Sequence, residues 1–170
     1  DFKLTLGYTN NITNSNDFSY VIPTLGIAHR LDPGGRIVLA SRLEGHINFG
    51  DGFEFYQAAN LGANNGLRGY RNERFSGKRS FFHSTDLRYN LNRESTSIAP
   101  IEYGIFGGFD YGRVWVGDDL VGIPEFNDDA LNTSVGGGFF VNMVDMLSLN
   151  VGLFTSDDSM RFSFGFGFQF

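Results

Sequence analysis

Arg161-Phe162-Ser163-Phe164-Gly165-Phe166-Gly167-Phe168-Gln169-Phe170 alternates without a fault. Its five phenylalanines share one parity, and Ser163, Gly165, Gly167 and Gln169 share the other. Successive side chains of a β-strand point to opposite faces. The stretch is therefore a strand with one face of large rings and one of small or polar groups. The bias runs through the chain, which has 19 Phe and 23 Gly among 170 residues against 4 Pro. Ordinary domains carry about 7% glycine; here the share is nearly double.

The same code extends backwards. Residues 147–154 set Leu147, Leu149, Val151 and Leu153 against Ser148, Asn150, Gly152 and Phe154. Residues 132–142 oppose Val135, Phe139 and Val141 to Ser134, Gly136, Gly138 and Phe140. Residues 101–115 place Tyr103, Ile105, Phe109 and Tyr111 opposite Glu102, Gly104, Gly108 and Asp110. Residues 80–91 oppose Leu87, Tyr89 and Leu91 to Ser84, Asp86 and Arg88. Residues 36–49 set Leu39, Leu43 and Ile47 against Arg42, Glu44, His46 and Asn48. Residues 18–31 are less regular, interrupted by Pro23 and His29, and residues 2–9 align Phe2, Leu4, Leu6 and Tyr8. Asp32-Pro33-Gly34-Gly35 has the chemistry of a tight turn. The expectation is one all-β domain over 1–170, with eight antiparallel strands and no helix.

Eight strands can close into a barrel without free edges. A soluble barrel turns its apolar face inward and a membrane barrel turns it outward. An eight-stranded barrel has room inside only for packed side chains or one small ligand. The phenylalanine rows would overfill it, whereas the glycine and serine rows would fit. The expected architecture is an eight-stranded transmembrane barrel with Phe162, Phe164, Phe166, Phe168 and Phe170 facing lipid. Loop lengths agree: segments 10–17, 50–79 and 116–131 exceed nearly every turn at the other end, the asymmetry of outer-membrane barrels. Phe170 resembles the C-terminal aromatic of many bacterial outer-membrane proteins.

Other chemistry is thin. There is no cysteine, so no disulfide framework and no thiolate metal site. A net charge of −6 argues against nucleic acid. No apolar run approaches the roughly 20 residues of a spanning helix, and Asp1 opens directly into a strand-like pattern without signal-peptide character, which leads us to expect a mature, trimmed or cytosolic chain. Asp118, Asp119, Asp128 and Asp129 lack calcium-loop spacing and read as a solvated acidic loop. His29, His46 and His83 fall on three strands, His46 beside Glu44, and no nucleophile-and-base pair survives the alternation. No cofactor and no metal are expected. Arg42, Glu44, Arg88 and Glu102 point inward with Asp86 and Asp110, as a charge network that plugs the lumen rather than a channel.

The longest non-periodic run, 50–79, holds Leu61-Gly62-Ala63-Asn64-Asn65-Gly66-Leu67-Arg68-Gly69-Tyr70. A loop of that length is usually functional or disordered. With Asn60-Leu61-Gly62 and the continuation Arg71-Asn72-Glu73-Arg74-Phe75-Ser76-Gly77, it resembles the conserved sixth-loop segment of the BamA superfamily, the bacterial surface antigen family. Leu67-Arg68-Gly69-Tyr70 fits that family's aliphatic-Arg-Gly-aromatic hallmark. Asp86 matches the acid on its next strand. Gly108-Phe109-Asp110-Tyr111-Gly112 matches its Phe-x-Asp-x-Gly at the aspartate and last glycine, and departs at Gly108.

The resemblance implies a loop folded toward the lumen, with Arg68 paired to Asp110 first and Asp86 second. It implies a bacterial outer-membrane protein of biogenesis, inserting or transporting proteins or lipids. Its partners would be outer-membrane lipids and other outer-membrane or periplasmic proteins. It leaves two architectures, half of a sixteen-stranded barrel or a short relative closed on eight strands. The unbroken outer-face pattern favours the second, as a monomer without the family's periplasmic repeat domains. A structural or adhesion barrel is the rival reading, and a lipid-modifying membrane enzyme the third.

Overall fold

A computed structural model describes residues 2–10, 17–50, 57–95, 100–116, 130–143 and 147–168. Its strands are β1 (Phe2–Asn10), β2 (Asp17–Arg30), β3 (Ile37–Phe49), β4 (Ala59–Leu61), β5 (Phe75–Gly77), β6 (Arg79–Ser95), β7 (Pro100–Trp115), β8 (Asn132–Met143), β9 (Leu147–Thr155) and β10 (Met160–Phe168). Eight of them form one antiparallel sheet in the order β1-β2-β3-β6-β7-β8-β9-β10. β4 and β5 form a separate two-stranded ribbon between β3 and β6. No helix occurs among the described residues.

The two faces divide as the alternation requires. On β7, Gly104, Phe106, Gly108, Asp110, Gly112 and Val114 are buried while Tyr103, Ile105, Phe109 and Trp115 are exposed. On β8, Phe140 is 1% exposed and its neighbour Phe139 is 68% exposed. Phe162, Phe164 and Phe166 on β10 are all exposed. Phe168 ends that strand, and Phe170 lies outside the described residues. The apolar face is thus the bare one, while the small and polar face is covered.

Two local irregularities have causes in the sequence. Pairing of β2 with β3 lapses at Ile22 and Pro23 and resumes at Thr24. Proline has no N–H to give the ladder, and Gly45 across from it leaves room for the ring. In β6 the register to β7 shifts between Asn90 and Asn92. Such a bulge reverses the alternation, so Arg93 joins the covered face opposite Glu102. The β2–β3 turn is held by Asp32, whose carboxylate accepts the N–H groups of Ile37 (2.7 Å) and Gly34 (3.1 Å). The Ile37 bond chiefly holds its pKa below the usual carboxylate range.

The sheet differs from the expected closed barrel in one respect. Among the described residues no ladder joins β1 to β10, so the sheet has two edges. Leu61, Leu67, Tyr70 and Phe75 from the loop pack with Phe82 of β6 and Val114 of β7. A second cluster, Phe106, Phe140 and Phe154, lies beside them. The loop thus places backbone, not just side chains, against the covered face.

Candidate functional site

The loop is stitched down at its base. Asn48, 1% exposed, accepts its place by donating Nδ2 to Gln57 O (3.1 Å), and its own N–H bonds Lys78 O (3.0 Å). Lys78 N–H in turn donates to Trp115 O (3.0 Å). Between these ties, Ala59, Asn60 and Leu61 pair with Gly77, Ser76 and Phe75. The excursion is therefore a ribbon rather than a loose loop.

At its tip, Leu67-Arg68-Gly69-Tyr70 forms a turn closed by Tyr70 N–H donating to Leu67 O (3.1 Å). Leu67 and Tyr70 are buried on either side and anchor the turn in the first cluster. That leaves Arg68 at the corner, aimed at the wall. Gly66 has φ of +85°, a left-handed conformation that glycine adopts without penalty. It lies against the Phe82 ring. Gly69 answers a different need: a Cβ there would come within 2.8 Å of both Ser134 Cβ and Thr155 O.

Arg68 meets Asp110 through three donors. Its Nη2 lies 2.6 Å from Oδ1, its Nε 3.0–3.1 Å from both oxygens, and its backbone N–H 3.1 Å from Oδ2. Ser84 Oγ (2.6 Å) and Ser134 Oγ (2.8 Å) donate to the same carboxylate. Asp110 is 0% exposed and the Arg68 side chain 17%. A buried carboxylate needs this density of donors, because an unpaired buried charge is costly. The Phe154 ring lies 4.0 Å from the guanidinium carbon, a cation–π contact from β9. Burial alone would lower the Arg68 pKa; Asp110 and then Asp86 outweigh it and hold the pKa above its ordinary value.

Asp86 is the second carboxylate. Its Oδ1 lies 2.7 Å from Arg68 Nη2, but too obliquely for a hydrogen bond. Its other oxygen lies 3.5 Å from Arg88 Nη2. The remaining inward charges form pairs rather than one network. Arg42 binds Glu44 (2.6 Å), which also accepts Thr24 Oγ1 (3.0 Å). Glu102 binds Arg93 (3.4 Å), a partner missed because the expected strand stopped at Leu91. Below the latch, an open hollow of about 550 Å³ is bounded by Ala28, Ala40, Arg42, Asp86 and Arg88.

A second set of contacts ties the loop to the β9–β10 turn. Ser156 Oγ donates to Gly69 O (2.8 Å), and Arg74 Nε lies 2.5 Å from Asp158 Oδ2. That pair is roughly a third exposed, so it contributes about 0–1 kcal/mol. Burial raises the Tyr70 pKa, and Asp157 and Asp158 raise it further.

The histidines sort differently from expectation. His46 bonds Asn48 Oδ1 (3.0 Å) rather than Glu44. His83 and Ser41 meet at 2.5 Å on the bare face, with Thr85 Oγ1 3.2 Å from the same ring nitrogen. Comparing residues within each strand misses this pair, because it lies diagonally across the β3–β6 ladder. Three polar groups among apolar neighbours satisfy one another there. No metal-binding group of acids and histidines occurs among the described residues. Asp118, Asp119, Asp128 and Asp129 fall outside them.

The site can therefore do one thing well: fix a loop to a wall through a saturated ion pair. Both oxygens of Asp110 are engaged by donors, so its carboxylate serves the latch. Compared with known proteins, the chain matches no family model and no curated protein.

Proposed function

We propose that this sheet is the wall of a bacterial outer-membrane β-barrel of the BamA-superfamily kind, acting in membrane biogenesis. The observation that carries the reading is the Leu67–Tyr70 turn, latched by Arg68 to Asp110 on the covered face of a sheet whose bare face is apolar. The bare face would contact lipid, where every backbone group must be paired within the protein. Soluble surfaces rarely expose contiguous apolar patches of such extent.

The interior content bears on the width of that barrel. Eight strands enclose space for packed side chains or one small ligand. Here a two-stranded ribbon and its connecting turns pack on the covered face, the one that would turn inward. We therefore favour a barrel of about sixteen strands over closure on eight, completed by strands of the same polypeptide or of a second copy. In detergent, light scattering with heat-modifiable gel mobility should find no compact folded monomer of these 170 residues alone. Such a monomer overturns the wide barrel.

Mechanistically, β1 and β10 are nine-residue edge strands, and a spanning strand needs about 9–11 residues. Unpaired edges accept a further strand readily. A seam at these edges would admit a strand of an incoming protein, or perturb the adjacent lipid. The test is the folding rate of a second, small outer-membrane barrel into lipid vesicles containing the intact protein. Acceleration is expected, and it should vanish when a disulfide locks β1 and β10 to their neighbours across the seam. Undiminished folding with the lock in place sinks the seam mechanism.

A further inference from the structure

At the end of the sheet opposite the latch, a polar pocket of about 330 Å³ lies between the β2–β3 turn and the outer reach of β6. Three arginines from three segments line it: Arg30 at the end of β2, Arg36 before β3 and Arg93 beyond the β6 bulge. Among the described residues, Glu102 is the only acid in the lining, and it is 3.4 Å from Arg93. Among the described residues, Arg30 and Arg36 have no ion-pair or hydrogen-bond partner for their side chains. The nearby Asp32 does not supply one, since its carboxylate is taken by the backbone of its own turn.

The pocket is built rather than incidental. Arg30 lies across Gly35, whose φ is +68°; a Cβ there would sit 3.5–3.9 Å from Arg30 Cδ, Nε and Cζ. Asn90 Nδ2 donates to Gly35 O (2.9 Å), and Asn90 N–H donates to Arg36 O (2.8 Å). These bonds fasten the turn that carries Arg30 and Arg36 to the strand that carries Arg93. A chain of net charge −6 thus gathers three like charges against one acid. Like charges held together repel unless an anion lies between them, and the planar guanidinium fork matches phosphoryl oxygens bidentately.

We propose that this pocket binds a phosphoryl group, either of a phospholipid headgroup or of a free phosphate. The proposal rests on the pocket and not on the membrane reading above. It is tested on the intact protein, with whatever strands complete its sheet, folded in zwitterionic detergent, by the thermal unfolding midpoint. The probes are inorganic phosphate, compared with chloride at equal ionic strength, and a short-chain phosphatidylglycerol below its micelle concentration. A rise with phosphate alone identifies a free-phosphate site. A rise with the lipid identifies a headgroup site.

The double variant Arg30→Gln/Arg36→Gln should weaken the apparent Kd roughly tenfold or more, while Arg161→Gln, an exposed arginine of β10, should leave it unchanged. Glu102→Gln should tighten binding by removing the competing acid, which keeps the test alive if the double variant folds poorly. No rise with either probe, or a rise that survives the double variant, overturns the site.

Discussion

Asp110→Asn is expected to lower the stability of the folded protein by about 3–5 kcal/mol, the usual consequence of removing one partner from a buried ion pair. The substitution keeps the shape and deletes the charge. Arg68 would lose its full-charge partner and keep Ser84 Oγ (3.2 Å), the Phe154 ring and the oblique contact with Asp86 at 2.7 Å, while remaining largely buried. One of the new amide's two polar atoms would also face donors. Arg68 Nη2 and Ser84 Oγ converge on Oδ1, and Ser134 Oγ with the Arg68 N–H on Oδ2. Whichever way the amide turns, its NH2 confronts an Arg68 N–H, and the serine hydroxyl beside it must turn to accept instead of donate.

The loss should appear first in the loop, because the pair joins loop to wall. Limited proteolysis between residues 57 and 77 should become faster in Asp110→Asn before the sheet unfolds. The single tryptophan, Trp115, whose carbonyl accepts the Lys78 N–H at the loop's base, reports the same release by fluorescence. A double variant, Arg68→Met/Asp110→Asn, should cost less than the sum of its singles, since neither buried charge is then stranded. Full additivity would mean that the two residues do not act as a pair.

Much of this arrangement was legible because the covered and bare faces differ so sharply in side-chain size. Asp86 and Asp110 share a parity with Gly104, Gly108 and Ser84, so alternation alone assigns them a face. The position of Arg68 in chain order does not reveal its partner; that expectation came from the resemblance of Leu67–Tyr70. What stayed hidden had physical reasons. β4 and β5 are three residues each, too short for a period of two to register. The bulge at Asn90 and Asn92 inverts the pattern, which pushed Arg93 into an expected turn. Closure was illegible because alternation reads the same in eight strands or sixteen. The informative signal was the apolar content of the loop itself. Leu61, Leu67, Tyr70 and Phe75 must be buried somewhere, and they are buried against the covered face of the sheet; the proposed wide barrel rests on that.

Gly108→Val should destabilise by about 1–3 kcal/mol or more, the cost of forcing extra atoms into a filled interior. The resembling pattern has phenylalanine at this position, and the structure explains why glycine stands here. A Cβ on Gly108 would come within 2.6 Å of Arg68 Nη2, 2.7 Å of Asp86 Oδ1 and 2.9 Å of Phe154 Cζ. None of the three can yield freely. Arg68 is clamped by Asp110, Phe154 is 0% exposed, and Asp86 is drawn toward Arg68 from the same side. The ring that lies against the guanidinium comes from Phe154 on β9, so the space a ring at 108 would take is already occupied.

The neighbouring Gly107 is the internal control. It has the opposite parity, and a Cβ there would meet only Gly136 O, at 4.0 Å. Gly107→Val adds the same atoms to the same strand on the bare face, and surface changes of that kind usually stay within about 0.5 kcal/mol. Chemical unfolding of the two variants side by side separates a packing effect from a general dislike of valine in this strand. Equal losses at 107 and 108 would mean that Gly108 is not reserved for Arg68; a loss confined to 108, with faster cleavage of the loop, is the result the geometry requires.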